Sequence, residues 1–590
     1  MLLVHNMIDF SKARSEAFEK FKKGRKCKIL DEKTIQTLSL TKFVEAWEVK
    51  SEVQDYKSQT ISDEVFYICF PYEFPLVNPK IYITREGFIK INSVPHIDSN
   101  NLVCTFDDNQ IKTNPAFPYD IVKSCFEKAI SIIESGIAGE NHEDFENEFN
   151  AYWEDKYSEN DNIDLYSCLS IISDDSKLKD KVPVFLLNTN FKGYKLIIHN
   201  NDENADRVKE FLNFSNVKFT ETEAFFINDI VIGNPPFDYT NKEIIEILKQ
   251  SPKIYKPFLK FLKENITFPF IVFKKNINGS LQFYAWKHKP IITSRNGFRA
   301  GTITPQLALS NLQASQNIIR YKFDDFTKER LNRRSSGNPE MKTWSLTVGG
   351  VGSIGSNLIY FLNSLGINEY KFIDNDSLLL ENIPRHLLGF ANIRSPKVTE
   401  LKKFIQHKDP LIKVQTRNKS IVEVIDKEPD FINSSDYLFV CIGKENTEQF
   451  IATKIQDKEI IVPTFFFWVE PYLLGGHMLY IHPEDKKQYS DFFTDGFFKQ
   501  NIIDKSEYLN GNPALFLKEA GCQTSYTPYS QSHIVLFLSG VFHIINDILA
   551  NNNRESKAVT WIGSKYSMKE LKIKENKDME QHPQGSLVIS

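Results

Sequence analysis

The chain has 590 residues, which leaves room for about three or four domains of ordinary size. Its composition, 41% hydrophobic and 25% charged residues, is typical of a soluble globular protein. The net charge of -4 argues against a general affinity for nucleic acid or for an anionic membrane. Its apolar runs stop short of the roughly 18 residues of a membrane span, and the N-terminus lacks a signal-peptide core, so we expect a cytoplasmic protein with no membrane partner.

The cysteines are scattered and form no C-x-x-C pair. This spacing favours a reducing compartment and predicts no structural zinc site. There are seven of them: Cys27, Cys69, Cys104, Cys125, Cys168, Cys441 and Cys522.

Residues 1–160 alternate between helix and strand patterns. We predict helices over 8–24 and 118–136, and strands near 43–53 and 63–70. The second helix should bury one apolar face, made of Ile121, Val122, Cys125, Phe126, Ala129 and Ile133.

A proline-rich run and a loop separate those strands from the second helix. The run is FPYEFPLVNPKIYI (70–83), and the loop VPHIDSNNLVCTFDD (94–108) contains His96 and Cys104. The order resembles the ubiquitin-conjugating fold, in which a Y-P-F-x-x-P run and an H-P-N turn precede the catalytic cysteine. The resemblance implies an α+β domain with Cys104 as nucleophile. The asparagine of H-P-N is missing: Ile97 stands near its place, and Asn100 or Asn101 is a speculative substitute.

An acidic stretch at 140–164 spaces its aromatic residues by three and four, which predicts a docked helix that closes this domain. Residues 165–315 are predicted to form an α/β linker domain of unknown role. Within it, Asn234-Pro235-Pro236-Phe237 resembles the N-P-P-Y/F signature of amino-methyltransferases. However, no Gly-rich turn for S-adenosylmethionine lies between 165 and 230, so we interpret the motif as a rigid turn that ends a strand.

The segment 344–397 has the features of a nucleotide-binding βαβ unit. Gly350, Gly352 and Gly355 follow an apolar run in G-x-G-x-x-G spacing and precede an amphipathic helix. A second strand ends at Asp374, 19 residues after the last glycine. Glycines let the backbone approach phosphate, the helix N-terminus faces it, and the acid can hold a ribose.

The residues that follow favour ATP over a dinucleotide. Arg385 and Lys397 are the cations that an attack on the α-phosphate requires, because negative charge grows there as pyrophosphate leaves. With Asp374 and Asn382, they resemble the D-x-D, N-x-x-R and Lys pattern of the activating-enzyme superfamily, which includes ubiquitin activators and sulfur-carrier adenylyltransferases. The resemblance implies a Rossmann-like adenylation domain at 317–590, in which Asp374 holds the ribose and Arg385 and Lys397 hold the phosphates of ATP.

The same resemblance raises questions about magnesium and about the arginines of 317–343. Relatives carry a magnesium-binding Asp where this chain reads Gly443-Lys444-Glu445, so Mg²⁺ is expected but its ligand is not identified. An arginine from the lead-in can reach phosphates in a partner subunit; which of Arg330, Arg333 and Arg334 does so is left open.

The alternation of helices and strands continues after Lys397. We predict a helix to 406, a strand near 411–417, a helix at 420–427, one strand over 460–481 and a helix at 531–549. Cys522 lies in a polar segment before that last helix, where a helix dipole favours the thiolate. Its position resembles that of the catalytic cysteine of activating enzymes. The role of the tail 552–590 is not predicted.

The order of the domains resembles the activating/conjugating fusion proteins of bacterial CBASS antiphage operons. It implies ATP-dependent conjugation: a carboxyl terminus is adenylated, carried on Cys522 and then on Cys104, and transferred to target lysines. It also implies a cyclic-oligonucleotide synthase as donor and a homodimer. The alternatives are a conjugator of a bacterial ubiquitin-like protein, a sulfur-carrier adenylyltransferase, a nucleotide-binding scaffold without turnover and, distantly, a methyltransferase.

Overall fold

The computed structural model describes residues 9–55, 60–91, 94–98, 100–106, 111–141, 143–147, 149–153, 167–233, 237–277, 279–299, 301–338, 341–518 and 525–590. The chain forms two compact units. The first comprises residues 1–200 and 219–326, and the second comprises residues 201–218 and 327–590. Residues 201–218, which lie within the predicted linker range, are therefore part of the second unit.

The first unit begins with a small α+β domain. Its elements are α1 (Phe10–Phe21), β1 (Lys26–Ile29), α2 (Glu32–Thr37), β2 (Glu45–Asp55), β3 (Thr60–Phe70), β4 (Lys80–Ile83), α3 (Arg85–Lys90), β5 (Leu102–Val103), α4 (Pro118–Ala138), α5 (Asp144–Asn147) and α6 (Phe149–Trp153).

The five strands form an antiparallel meander in the order β1 to β5. Helix α4 begins with Pro118 in its first turn and ends at Gly139, whose φ of 76° suits glycine. All six residues predicted for its apolar face are buried, and they pack with the sheet and α1 in one core. The mixed α/β architecture predicted for the chain is confirmed here.

The aromatic segment after α4 is docked, but as two short helices, and its buried rings join the core of the barrel that follows instead of closing the N-terminal domain as predicted. Phe149 and Trp153 are buried, and the Trp153 indole N–H donates to the carbonyls of Ala285 and Tyr321, both at 3.1 Å. The remainder of the predicted helix, 154–164, lies outside the described residues.

The rest of the first unit is a closed barrel of seven strands in the order β10-β11-β12-β6-β8-β7-β9. The elements of this region are β6 (Ser167–Ser170), β7 (Lys181–Phe191), β8 (Tyr194–Ile198), α7 (Glu203–Phe214), β9 (Phe219–Ile227), α8 (Asn241–Lys249), α9 (Pro252–Glu264), β10 (Phe270–Ile277), β11 (Ser280–Lys287), α10 (Pro305–Leu307) and β12 (Ile319–Asp325), with a π-helical turn at Ala308–Leu312; α7 belongs to the second unit.

The sequence predicts strands at 182–188, 194–199, 224–232 and 267–274 and helices at 241–250 and 255–264, which correspond to β7, β8, β9, β10, α8 and α9. It does not predict β6, β11, β12 or α7. Asn234, Pro235 and Pro236 lie outside the described residues. Phe237 is buried against Phe149 and Trp153, with ring centroids 5.0 and 5.2 Å apart. This aromatic ring is therefore part of a packed core, and the rigid turn stays a prediction.

The second unit is an α/β domain around an eight-stranded sheet. Besides α7, its elements are α11 (Lys328–Ser336), β13 (Trp344–Gly349), α12 (Ser353–Leu362), β14 (Ile367–Ile373), α13 (Lys397–Lys408), β15 (Lys413–Arg417), α14 (Ile421–Lys427), α15 (Pro429–Asn433), β16 (Tyr437–Val440), α16 (Glu445–Gln456), β17 (Thr464–Val469), β18 (Gly475–Ile481), β19 (Phe493–Thr494), β20 (Phe497–Phe498), α17 (Lys505–Leu509), β21 (Leu517–Lys518), β22 (Ser525–Tyr526), α18 (Gln531–Asn551), β23 (Lys557–Ile562), α19 (Lys565–Glu570) and β24 (Leu587–Ile589).

The sheet order is β15-β14-β13-β16-β17-β18-β23-β24, and the first five of these strands are mutually parallel. Chain order reverses between β13 and β16, and ligands of such sheets bind outside the carboxyl ends of the strands at this switch point. The predicted single strand over 460–481 is wrong: β17 and β18 form an antiparallel pair joined by a turn at Pro471–Leu473. The prolines and glycines in that run had marked the turn.

Helix α18 begins at Gln531, where the sequence predicted its start, and Ser530 is its N-cap. Among the described residues, this one helix is long and apolar enough to cross a membrane by length and composition, a test that a core helix also passes. One face packs into the core of the unit through Ile534, Phe537, Leu538, Val541, Ile544, Ile545, Ile548 and Leu549. This packing accounts for its apolar composition.

Candidate active site

The Gly-rich turn joins β13 to α12 at the switch point. Gly350 has a φ of +84°, and a Cβ atom there would lie 2.8 Å from the carbonyl oxygen of Cys441 at the end of β16. A Cβ atom on Gly355 would overlap the carbonyl oxygen of Gly350. By contrast, no atom of the described residues lies within 4 Å of the corresponding position on Gly352, the N-cap of α12. The turn therefore leaves open space at a helix N-terminus, where a phosphate binds.

Asp374 fixes this turn from the end of β14. Its carboxylate accepts hydrogen bonds from the backbone N–H groups of Val351 and Asp376, both at 2.8 Å. Burial raises the pKa of Asp374, an effect opposed by these hydrogen bonds and by Lys397. The predicted ribose acid thus lies against the glycine turn.

Lys397 belongs to the same group. Its Nζ donates to Oδ2 of Asp376 at 3.0 Å, and its backbone N–H donates to the Asp376 carbonyl at 3.0 Å. The lysine side chain is 7% exposed, whereas that of Asp376 is 65% exposed. A buried cation is thereby held next to the glycine turn by the partly solvated carboxylate of Asp376, with Asp374 also close enough to interact with it.

Asn382 and Arg385 lie on the loop between Asp376 and α13. Asn382 accepts a hydrogen bond from the Leu379 N–H at 3.0 Å, so its side chain shapes the loop. The guanidinium of Arg385 lies 5.0 Å from the ring centroid of Tyr529 and 3.4 Å from the carbonyl oxygen of Thr527. Both contacts come from the segment that precedes α18, and the side chain is half-buried.

His386 is a site residue that the sequence analysis missed, although it directly follows Arg385. Its Nε2 donates to the Val351 carbonyl at 2.8 Å, and its Nδ1 accepts from the Leu388 N–H at 3.0 Å. Because both nitrogens are engaged by the neutral ring, and because burial lowers the pKa of His386 to about 4, the ring is uncharged at neutral pH. It ties the Arg385 loop to the glycine turn.

A cavity of about 450 Å³ opens beside the start of α12. Ser353 and Ile354 form one end of it, and the end of β16 with Gly443 forms part of its wall. Aromatic side chains from β17 and from residues 482–530 also line it: Trp468, Tyr489, Phe493, Phe497, Phe498, Tyr508 and Tyr529. Polar side chains, among them Glu448 and Asn501, share the lining, so the cavity next to the glycine turn offers both stacking surfaces and hydrogen-bonding groups to a ligand.

Glu448 is the buried acid of this cavity and was also missed. It accepts from the Gly443 N–H at 3.0 Å and hydrogen-bonds the hydroxyl of Tyr489. Burial raises the pKa of Glu448 to about 7, so a large fraction of its carboxyl is neutral near neutral pH.

The described cysteines differ sharply in exposure. Cys104 is exposed, Cys27 is intermediate, and Cys69, Cys125, Cys168 and Cys441 are buried. Burial raises the pKa of Cys69 to about 12 and the pKa of Cys441 still further. Cys522 lies outside the described residues, so its predicted role stays a prediction.

No group of three or more His, Cys, Asp or Glu side chains that could hold a metal ion occurs among the described residues. A magnesium ion shared with a nucleotide needs only one or two carboxylates, because phosphates and water supply the other ligands. Glu445 and Glu448 both line the cavity and could supply such a carboxylate. Arg330, Arg333 and Arg334 lie on α11 and are exposed.

A doubly wound sheet with a glycine turn, an acid at the end of the second strand and a buried lysine defines the class of nucleotide-binding adenylation domains. Residues 333–507 match the ThiF family, and residues 30–161 match prokaryotic E2 family B. The chain therefore combines an E2-like N-terminal domain with a C-terminal ThiF adenylation domain, and the predicted resemblance to both families is confirmed.

Solved structures give weaker overall likenesses. Selenomethionine PaaA aligns at a TM-score of 0.30 and 13% identity over 48% of this chain and 77% of PaaA. E. coli MccB with ATP aligns at 0.29 and 15% identity over 40% of this chain and 64% of MccB; MccB with N-formylated MccA gives the same values. The matched region thus spans less than two thirds of MccB. No curated protein matches the chain.

Proposed function

We propose that this protein is an ATP-dependent protein-conjugating enzyme. It adenylates the C-terminal carboxylate of a donor protein, carries the acyl group on Cys522 and then on Cys104, and transfers it to lysines of target proteins. The observation that carries the proposal is the cluster of Asp374, Lys397 and the glycine turn at one sheet edge.

The cluster suits acyl-adenylate formation. Asp374 would hold the ribose of ATP, and the open side of Gly352 would admit its phosphates. The donor carboxylate would approach through the aromatic cavity and bond to the α-phosphorus as pyrophosphate leaves. Lys397 and Arg385 would stabilise the charge that grows on the phosphate oxygens. Bound Mg²⁺ would supply further neutralisation of that charge.

Two thiols then divide the acyl transfer into easier steps. The Cys522 thiolate would bond to the acyl carbon as AMP departs, and the Cys104 thiolate would displace Cys522 from that carbon. The exposure of Cys104 supports the second step, because a thiol that accepts a protein-sized acyl group must be reachable. Carrying both cysteines on one chain raises their effective concentration.

The biological setting is proposed from the domain order. An E2-like domain before a ThiF domain is the arrangement of the CBASS fusion proteins, so we propose a cyclic-oligonucleotide synthase as the donor and antiphage defence in the cytoplasm as the context. In a homodimer, one of Arg330, Arg333 and Arg334, which lie on the surface of α11, would contact the phosphates of the partner subunit. A bacterial ubiquitin-like protein is the alternative donor.

A non-reducing gel tests the relay. The protein is incubated with ATP and a candidate donor, and a thiol-labile adduct is expected together with pyrophosphate release. Cys522→Ala should abolish the adduct, whereas Cys104→Ala should hold it on the first cysteine. Cys27→Ala, in β1 of the same E2-like domain, is the matched control and should behave as wild type. An adduct that survives both catalytic substitutions would contradict the relay.

A nucleotide-binding scaffold without turnover is the second candidate. Gly443-Lys444-Glu445 at the end of β16 and the missing asparagine near Ile97 favour it, because both positions carry catalytic groups in relatives. The scaffold predicts ATP binding without pyrophosphate release at any donor concentration. Measurement of pyrophosphate with each donor separates the two candidates.

A further inference from the structure

The turn that carries His96 is paired with the segment that carries Cys104. Ile97 and Val103 form an antiparallel bridge, and the Cys104 N–H donates to the His96 carbonyl at 2.8 Å. Ile97 and Val103 are each 2% exposed and face the core. The bridge and this hydrogen bond place His96 and Cys104 next to each other on adjoining segments. Both side chains are accessible: that of His96 is partly exposed and Cys104 is exposed.

Asp144 holds the imidazole of His96 from a different part of the sequence. The Nε2 atom of His96 lies 3.0 Å from Oδ2 of Asp144, the first residue of α5. The Tyr152 hydroxyl, on α6, accepts the backbone N–H of His96 at 2.7 Å. The side chains of His96 and Asp144 are 26% and 38% exposed, so an incoming group can reach the pair.

The carboxylate sets the tautomer of the ring. In a neutral imidazole one nitrogen is a donor and the other an acceptor, and a carboxylate at Nε2 places the proton there. Nδ1 is then the acceptor nitrogen and can receive a proton. A base oriented by a carboxylate beside a nucleophile is the arrangement that general-base catalysis of acyl transfer requires.

We propose that His96 is the general base for transfer of the acyl group from Cys104 to an amine, and that Asp144 is its positioning residue. This inference rests on the proposed function. The amine nitrogen bonds to the thioester carbon, the C–S bond breaks, and its electron pair stays on the Cys104 sulfur. The proton lost by the nitrogen passes to Nδ1 of His96 and from there to the thiolate or to water.

The pair could instead serve only to hold α5 against the E2-like domain. The two roles differ in their dependence on the nucleophile. A lysine amine is protonated near neutral pH and needs a base, whereas hydroxylamine is already unprotonated and does not. Loss of the His96 base therefore slows only the reaction with lysine, whereas a distorted site slows the reactions with both nucleophiles.

The test is a single-turnover chase of the Cys104 thioester, formed with ATP and donor on the full chain and then mixed with free lysine or hydroxylamine. His96→Asn is the central variant, because asparagine tolerates the φ of +65° at this position. Asp144→Asn removes the positioning charge. Glu143→Gln, the exposed neighbouring acid, is the matched control.

We expect His96→Asn to slow the lysine reaction by roughly 100-fold or more, a general-base effect, and to change the hydroxylamine reaction less than about threefold. Asp144→Asn should give a smaller loss, of roughly tenfold, with the same selectivity, and Glu143→Gln should match wild type. Equal losses with both nucleophiles, or an unchanged lysine rate in His96→Asn, would overturn the inference. A wild-type protein that forms no thioester on Cys104 would overturn the proposed function, and this inference with it.

Discussion

The nucleotide cleft and the Cys104 edge are built in opposite ways. In the cleft, Asp374, His386 and Lys397 are largely buried and fixed by hydrogen bonds from several loops. At the Cys104 edge the thiol is exposed, and its neighbour His96 is held by two side chains from the short helices α5 and α6.

The difference follows from what each site must contact. Stabilising charge on a small ligand requires donors fixed in advance and shielded from water. A thiol that exchanges protein-sized groups must instead be accessible, so little of the fold can cover it. We therefore expect substitutions of tightly packed or buried groups in the cleft to affect both stability and activity, and substitutions at the edge to affect activity with little change in stability.

Gly355→Ala should have the largest effect. The new methyl group would overlap the Gly350 carbonyl, so we expect a loss of about 1–3 kcal/mol in stability and loss of measurable ATP binding. Gly352→Ala meets open space and should keep the wild-type melting temperature while weakening ATP binding. Calorimetric melting and nucleotide titration measure both effects. Equal melting temperatures for the two variants would contradict the tight packing that the structure shows around Gly355.

Lys397→Ala should reduce adenylation by roughly 100- to 1000-fold, because it removes a fixed cation from the developing charge. Lys403→Ala, also on α13, removes a lysine that is more exposed than Lys397 from its pair with Glu400 (2.7 Å) and should leave adenylation unchanged. The measurement is ATP–pyrophosphate exchange with a candidate donor. A similar loss of adenylation in both variants would show that the rate depends on the overall charge of α13 and not on the position of Lys397.

Glu448→Gln should stabilise the second unit at alkaline pH. The folded pKa of about 7 exceeds the usual 4.5, so the folded state binds more protons between these values and loses stability as pH rises through them. A neutral glutamine avoids this loss, and we expect an advantage of up to about 3 kcal/mol above pH 7 that fades toward pH 4.5. Thermal melting against pH measures it.

His386→Gln should show the opposite trend and serves as the internal control. The folded pKa of about 4 lies below the usual 6.5, so the unfolded state binds more protons between them and wild type loses stability as pH falls. The stability of the wild type relative to the variant should therefore decrease as the pH falls from 6.5 toward 4. If the stability of both variants, each relative to wild type, changed in the same direction with pH, the burial of either His386 or Glu448 would be contradicted.

The smallest expected effect is a difference in labelling rate between two thiols of the unmodified protein. In native protein, iodoacetamide should modify Cys104 at least roughly tenfold faster than Cys69, which is buried and whose pKa is raised to about 12. Peptide mapping assigns the label to each cysteine. Comparable labelling of the two thiols in folded protein would show that the Cys104 edge is not distinctively open.

Features encoded by neighbouring residues could be predicted. The glycine spacing with Asp374, the apolar face of α4 and the start of α18 are short-range patterns, because helix periodicity and turn geometry depend on residues a few positions apart. The prediction was less successful over 460–481 and in the barrel. Over 460–481 the apolar run continues through both strands and hides the turn, whereas missed strands such as β6 and β12 are short or mix charged with apolar residues. In both regions, pairing between segments decides which strands form.

The sequence by itself determined the domain classes and the phosphate-binding turn, since glycine spacing, flanking strand and acid all lie within one local unit. Only the tertiary structure decided which side chains complete each site. His386 reaches Val351, Glu448 is buried beside the aromatic cavity, and Asp144 meets His96 from 48 positions away. Such contacts depend on how distant elements pack, and no local pattern records that packing.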